Sequence, residues 1–405
     1  MNNKMLPIPE NEFDRLVSLS EFDLDYTSFN ENFKDLTKLA AKVAGTKMSL
    51  LNLIDNYTQW SISNHNLPIE QMPREDSICQ YTIMNEAHFE IKELSKDTRF
   101  QDRSYVKNGP KLDYYFGLPL RTENGHNLGA LCVLDTQAKV LSSEKIELLK
   151  LIAAEIINRL KTIKAIQEMR TEMQEMSESK KKVAHDIRGP IGGIIGLAQL
   201  IQEKGDKNKL SEVLEFIQLI HNSGKGLLEL ADEILTVDYE RLDSEEIAIN
   251  HQNEFNLITL KEKIVDMYSP QAIEKNIELK VLISSSFVDI PFPKNKLLQI
   301  IGNLMSNAMK FTSKNGNVTV RLGLEKLIDS RKLNIEVEDT GTGMSNDKIH
   351  QIRYGKARST NGTQGETGYG FGLALVKHLT ANMNGTLDIR SEQDKGTNFI
   401  INLTL

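Results

Sequence analysis

Two sets of side chains in this sequence carry chemistry, and one set can serve the other. His185 stands in HDIRGP (185–190). An imidazole of ordinary pKa, about 6.5, is largely neutral at physiological pH and presents a lone pair to an electrophilic phosphorus. Asp186 beside it can accept a hydrogen bond from the ring's other N–H, fixing the tautomer and stabilising the positive charge that grows during attack. Further along come three polar strings, NLMSNAMKFT (303–312), DTGTGM (339–344) and GETGYGFGLAL (365–375). Asn303 and Asn307 lie four apart, on one face of a helix predicted from the spacing of Leu297, Ile300, Ile301, Leu304 and Met305. Magnesium takes oxygen ligands and keeps several waters, so an amide oxygen together with phosphate oxygens suits it. Asp339 ends the strand-like LNIEVE (333–338), where a carboxylate can accept a hydrogen bond from an adenine amino group. Gly341 and Gly343 let the backbone come close to a base. Gly368, Gly370 and Gly372 lead into LALVKHL (373–379), and free N–H groups at a helix start favour phosphate.

These groups need elements to hold them. Residues 1–145 read as a mixed α/β unit: a helix over Phe33–Ala44, the strand-like MSLLNLID (48–55), then YFGLPLR (115–121) and LGALCVLD (128–135), a β-hairpin turning at Asn124 and Gly125. From Ser142 to Lys182 there is no Pro or Gly, and apolar residues recur at Leu149, Ile152, Ile156, Leu160, Ile163, Ile166, Met169, Met173 and Met176. Steps of three and four are coiled-coil spacing, which predicts a parallel dimer over 146–182, with a rod of roughly 60 Å if wholly helical. The rival reading is a single amphipathic helix lying on a core. The apolar pattern continues through IGGIIGLAQLI (191–201), breaks at EKGDKNK (203–209) and resumes from Leu210 to Val237, so 183–243 reads as a helical hairpin. Two such hairpins make a dimeric four-helix bundle. Strand and helix signals alternate again over 244–405. Pro190, lacking an N–H, is expected to kink the helix one turn beyond His185.

The strings that follow one another in this order resemble those of a sensor histidine kinase. The resemblance implies a multidomain fold: an α/β sensor, a long coiled-coil helix running into a dimeric four-helix bundle, and an α/β sandwich that binds ATP. It implies that His185 takes the γ-phosphoryl of ATP with Asp186 in the acid's base-like role, where the family more often has Glu. Asn307 is then the magnesium ligand, Asn303 lies near the phosphates, and Lys310 supplies positive charge there. Asp339, Gly341 and Gly343 recognise adenine; Gly368, Gly370 and Gly372 hold phosphate; Gly396 and Thr397 in DKGTNFIINL (394–403) close the pocket floor. The segment from about Tyr354 to Thr367 is a lid, and QIRYGKAR (351–358) is a degenerate form of the box that usually carries two Phe. Gly189 stands where the family often has Thr or Asn to position water, which predicts weak dephosphorylation of the partner. The run from EDSICQYTIM (75–84) through LSKDTRFQDR (94–103) to the hairpin is similar to a GAF domain, a sensor module whose ligand the resemblance does not name. Cys79 precedes Gln80 rather than the His usual in bilin-binding GAF domains, so a buried structural Cys is the default.

The family's partner is a receiver domain of a response regulator. No such domain is visible in the chain, so the regulator is expected in trans. Two rivals share the nucleotide pocket: a clamp ATPase of the gyrase and Hsp90 superfamily, and a pseudokinase scaffold that binds ATP without transfer. Acid-labile phosphate on His185 separates them from the kinase.

Composition sets the outer limits. At 405 residues two or three domains are expected. Lys+Arg 49 against Asp+Glu 56 gives a net charge of -7, which argues against a nucleic-acid footprint. Cys79 and Cys132 are too few for a disulfide framework or a Cys-based zinc site, and the remaining histidines show no metal-ligand spacing. No apolar stretch is long enough for a membrane span and the first residues lack a signal-peptide core, so a cytoplasmic protein is expected.

Overall fold

The structure is a computed structural model and describes residues 7–24, 26, 30–204, 217–222, 224–225, 254–294, 296–327, 330–353, 362–363 and 370–405. The chain divides into two compact units: residues 1–164 together with 254–405, and residues 165–253.

The first unit opens with α1 (Glu12–Ser20) and α2 (Asn30–Ala44), then β1 (Met48–Ile54), β2 (Thr58–His65), β3 (Gln71–Pro73), the single turn α3 (Cys79–Thr82), β4 (Phe89–Ile91), α4 (Ser104–Lys107), β5 (Tyr114–Arg121) and β6 (Asn127–Asp135). The strands form one antiparallel sheet in the order β3-β2-β1-β6-β5-β4. The expected hairpin is β5–β6, with Gly125 at φ 82 in its turn. β1 reads MSLLNLI and is buried on both faces, as a central strand covered on two sides must be. Leu51 and Leu53 pack with Phe33, Ala40 and Ala44 of α2, while Met48, Leu50 and Ile54 face a second cluster with Ile78, Ile83 and Phe100.

The long helix α5 runs unbroken from Ser143 to Lys204, through Pro190, and carries the backbone of His185 and Asp186. The dimer seam expected over 146–182 is divided. Leu149, Ile152, Ile156 and Leu160 are buried in the same apolar cluster as α1 and α2, with Ile163 packed against it, whereas Ile166 and Met169 are exposed. The first half of the stripe is therefore spent within the chain, as an amphipathic helix on a core. The second half of the expected helical hairpin falls mostly outside the described residues.

The rest of the first unit comprises β7 (Glu254–Phe255), α6 (Leu257–Lys275), β8 (Glu278–Ile283), β9 (Phe292–Pro293), α7 (Leu297–Phe311), β10 (Asn317–Lys326), β11 (Arg331–Asp339), α8 (Asn346–Arg353), α9 (Gly372–Asn382), β12 (Thr386–Glu392) and β13 (Gly396–Thr404). Five strands pair in the order β12-β13-β11-β10-β8, antiparallel except for β10 with β8; β7 and β9 form a separate ribbon. β11 alternates, with Leu333, Ile335 and Val337 fully buried, so one face of the sheet is covered. Leu260 and Ile264 of α6, Ile300, Ile301 and Leu304 of α7 and Leu375, Val376 and Leu379 of α9 supply that cover, a two-layer α/β sandwich. An Asn256–Thr259 capping box starts α6. No described helix is long and apolar enough to cross a membrane.

Candidate nucleotide site

The apolar stripe of α7 is pinned on the sheet, which turns Asn303 and Asn307 the other way. Both are nevertheless buried, at 2% and 6% exposure. The cover comes from the turn between β1 and β2. Tyr57 Oη donates to Asn307 Oδ1 at 2.9 Å, and Asn56 Nδ2 reaches Asn303 Oδ1 at 3.5 Å. The Tyr57 ring lies 5.6 Å from Lys310 Nζ, and burial pushes the phenol up to about 12, so it remains a neutral donor. Gly372 completes the contact: a Cβ there would stand 2.7 Å from Asn56 Nδ2 and 3.1 Å from the Tyr57 ring. Sequence reasoning missed Asn56 and Tyr57, since nothing local relates them to a helix 250 residues away.

The turn is held rigidly from behind. Glu12, Arg15 and Arg74 are wholly buried; Glu12 Oε1 accepts from Arg15 Nη2 at 2.8 Å and from Arg74 Nη1 at 2.5 Å. The same guanidiniums donate onward, Arg15 Nη1 to Ile54 O at 2.7 Å and Arg74 Nη1 to Asp55 O at 3.2 Å, and the Arg74 backbone N–H meets Tyr57 O at 2.8 Å. Burial alone pushes the Glu12 carboxyl up, and the two guanidiniums outweigh it, holding it at about 2. Further ties join the two sheets' domains: Lys296 N to Asp23 Oδ1 at 2.6 Å, Gln299 Nε2 to Tyr26 Oη at 3.3 Å, and Gln71 Nε2 to Met267 O at 2.9 Å.

At the other end of the pocket, Asp339 is buried at the end of β11. Its Oδ1 accepts from Gly341 N at 2.8 Å and Thr397 N at 3.3 Å. Burial raises the carboxyl to about 6, these two N–H groups pull it down only in part, and Glu338 adds to the rise. Gly343 at φ 61 and Gly396 at φ 114 sit where side chains do not fit, since a Cβ would strike Glu392 O and Asp339 O respectively. Ser391 Oγ ties the floor together, donating to Gly396 O at 2.8 Å, accepting from Met344 N at 2.8 Å and pairing with Thr397 Oγ1 at 2.9 Å. Thr342 N donates to Phe311 O at 3.1 Å, which joins this turn to the end of α7.

Of the sequence candidates, the fold therefore brings together Asn303, Asn307, Lys310 and Gly372 at one end and Asp339, Gly341, Gly343, Gly396 and Thr397 at the other. Gly370 is described at φ 88 just before α9, while Gly368 and most of the expected lid lie outside the described residues. So do the side chains of His185, Asp186 and Gly189's neighbours. The residues fit a phosphate in one particular: the buried Asn307 Nδ2 has no partner among the described residues and is a donor left for a phosphate oxygen, while its amide oxygen accepts from Tyr57 Oη. No group of three or more His, Cys, Asp or Glu suited to a metal occurs among the described residues, so a cation here would rely on amide and phosphate oxygens.

Residues 180–245 match the His Kinase A (phospho-acceptor) domain, and residues 293–405 match the histidine kinase-, DNA gyrase B- and HSP90-like ATPase family. The chain is 32% identical over 236 residues to the sensor histidine kinase GacS of Pseudomonas protegens, covering 56% of this chain and 24% of that one. It is 31% identical over 235 residues to the autoinducer 2 sensor kinase/phosphatase LuxQ of Vibrio parahaemolyticus, 57% of this chain and 26% of that. A cyclic di-GMP phosphodiesterase of Pseudomonas aeruginosa is 32% identical over 160 residues, 39% of this chain and 27% of that. The chain thus spans about a quarter of the length of these relatives. Among solved structures, full-length ShkA in complex with AMPPNP aligns over 56% of this chain and 45% of that one at 25% identity, with a TM-score of 0.31. The two domain matches, with the sensor-kinase relatives, support a histidine kinase.

Proposed function

We propose that the chain is an ATP-dependent histidine kinase that phosphorylates His185 and passes the phosphoryl group to an Asp on the receiver domain of a separate response regulator. The pairing that carries this reading is a phospho-acceptor match containing His185 on the same chain as an ATPase-family match containing Asn303, Asn307, Lys310 and Asp339. A nitrogen of the neutral His185 ring attacks the γ-phosphorus as the bond to the β-phosphate oxygen breaks, leaving ADP. Asp186 accepts from the other ring N–H and stabilises the imidazolium-like charge. Phosphoryl transfer needs little covalent help, so positioning and charge neutralisation do most of the work. Asn307 would hold magnesium, which neutralises phosphate charge when bound; Lys310 adds a fixed positive charge. Asp339, Gly341 and Gly343 take adenine, Gly368, Gly370 and Gly372 the phosphates, and Thr397 with Gly396 the floor.

In this reading the domains are 1–145 for a GAF-like sensor with an unidentified ligand, 146–182 for the signalling helix, 183–243 for dimerisation and phosphotransfer, and 244–405 for ATP. The homodimer would form through 183–243 and the second half of the apolar stripe. It would act in the cytoplasm, where ATP is, with no nucleic acid involved. Control by the sensor rests on the Asn56–Tyr57 turn: the Asn307 oxygen bonded to Tyr57 is the one a cation needs, so turn and magnesium nucleotide are alternatives. Incubation with radiolabelled ATP tests the core of the proposal. Acid-labile, base-stable phosphate is expected on the native chain and none on His185→Gln; equal labelling of both overturns it.

A further inference from the structure

On the face of the six-stranded sheet away from α2, β1 carries one polar side chain, Asn52, in line with Met48, Leu50 and Ile54. A carboxamide buried in an apolar strand costs stability unless its groups are bonded. Asn52 Oδ1 accepts from Ser61 Oγ at 2.6 Å; its Nδ2 donates to Cys79 Sγ at 3.2 Å and lies 3.5 Å from Cys132 Sγ. Tyr115 Oη donates to the same Cys79 sulfur at 3.3 Å and is itself bonded to the Thr82 hydroxyl at 2.6 Å. The two sulfurs, 53 residues apart in sequence, are 3.9 Å apart and buried. Burial alone pushes the Cys79 thiol up, but hydrogen bonds from Cys132, Tyr115, Asn52 and Ser77 outweigh it and hold the thiol below its ordinary value. Burial pushes Cys132 well up. An apolar core built for packing alone has no use for two donors aimed at one sulfur.

Against the pair lies a cavity of about 30 Å³, walled by Leu67, Ile69, Met72 and Leu112. That volume admits roughly two water-sized molecules. A nucleotide or a tetrapyrrole does not fit.

We propose that Cys79 and Cys132 form a peroxide-reactive dithiol within the N-terminal domain, with Cys79 as the attacking sulfur and Cys132 as the resolving one. The Cys79 thiolate attacks one oxygen of hydrogen peroxide, the O–O bond breaks, and the leaving hydroxide is protonated to water. Sulfur is oxidised to the sulfenic acid and the peroxide is reduced. The Cys132 sulfur then attacks the Cys79 sulfur, the S–O bond breaks, and hydroxide leaves with the Cys132 proton as a second water. The product is a disulfide, for which the sulfurs close to about 2.05 Å. In the disulfide the Cys79 sulfur is a weaker acceptor for Asn52 and Tyr115 than a thiolate is. Asn52 sits at a register shift of β1, the strand that ends at the Asn56–Tyr57 turn, so the change occurs on the element leading to the nucleotide site.

The test uses the full chain, reduced and then exposed to hydrogen peroxide, with alkylation and peptide mapping by mass spectrometry. A Cys79–Cys132 linked peptide is expected in the native chain, and in Cys132→Ala a sulfenic acid on Cys79 that dimedone traps. In Asn52→Ala the linking rate falls about tenfold, the worth of one hydrogen bond to a charged acceptor. Both thiols remaining alkylatable in the native chain, oxidation confined to Cys132, or an undiminished rate in a folded Asn52→Ala overturns the proposal. If either variant fails to fold, the native map alone decides.

Discussion

Two carboxylates, each buried in a sheet domain of this chain, are shifted in opposite directions. Glu12 is held at about 2 by two guanidiniums that share its oxygens and outweigh its burial, and Asp339 is raised to about 6 by burial, which its two backbone N–H donors offset only in part. In the first arrangement one carboxylate meets two guanidiniums, whose further donors hold the backbone carbonyls of Ile54 and Asp55. In the second, Oδ1 holds two backbone N–H groups and no guanidinium or ammonium pairs with the carboxylate among the described residues. A buried carboxylate whose acidity is shifted up without a counter-charge is a better pointer to function than one that is merely buried.

The largest effect should follow from breaking the Glu12 site. Glu12→Gln leaves two buried guanidiniums without their counter-charge and should cost about 3–5 kcal/mol, read as a drop in denaturant midpoint. Asp339→Asn should cost little or no stability while weakening ATP binding by roughly 10- to 100-fold, the range for a hydrogen bond involving a charged group. Equal destabilisation by both substitutions would erase the contrast. Tyr57→Phe removes only the hydroxyl that occupies Asn307, and magnesium-ATP should bind about two- to tenfold tighter by calorimetry. Unchanged or weaker affinity would mean that the turn does not compete.

Acidity sharpens the same comparison. The folded pKa of Glu12 lies below its ordinary value of 4.5, so its contribution is fully present above that pH and is lost as pH falls toward about 2. For Asp339 the folded value lies above the ordinary 3.8, so the folded state binds the proton more tightly and the contribution to stability declines as pH rises toward about 6. ATP affinity, which uses the ionised carboxylate, should rise over that same window. Melting and binding followed from about pH 4 to 7 should therefore move in opposite senses at this site.

Much of the candidate site was readable in the sequence because its parts are local. The helical period of Leu297, Ile300, Ile301 and Leu304 fixed which way Asn303 and Asn307 turn, and the strand before Asp339 fixed where its turn falls. Gly341 and Gly343 announced backbone made for close approach, and a Cβ at either would strike neighbouring backbone. What was not readable depends on pairing between distant segments. Tyr57 meets Asn307, and Cys79 meets Cys132, through sheet order and domain packing that no short pattern encodes. The apolar stripe from Leu149 to Leu160 shows the same limit: its spacing specifies a helix with one greasy face, and only the fold reveals that the face is covered from within the chain.

The most direct test of the account maps the phosphate itself. The native chain, after incubation with magnesium and ATP, should carry it on His185, and Asn307→Ala, folded but lacking the amide oxygen assigned to the cation, should carry none. Phosphate found on another residue, or incorporated undiminished in Asn307→Ala, would contradict the claim that this pocket supplies that histidine.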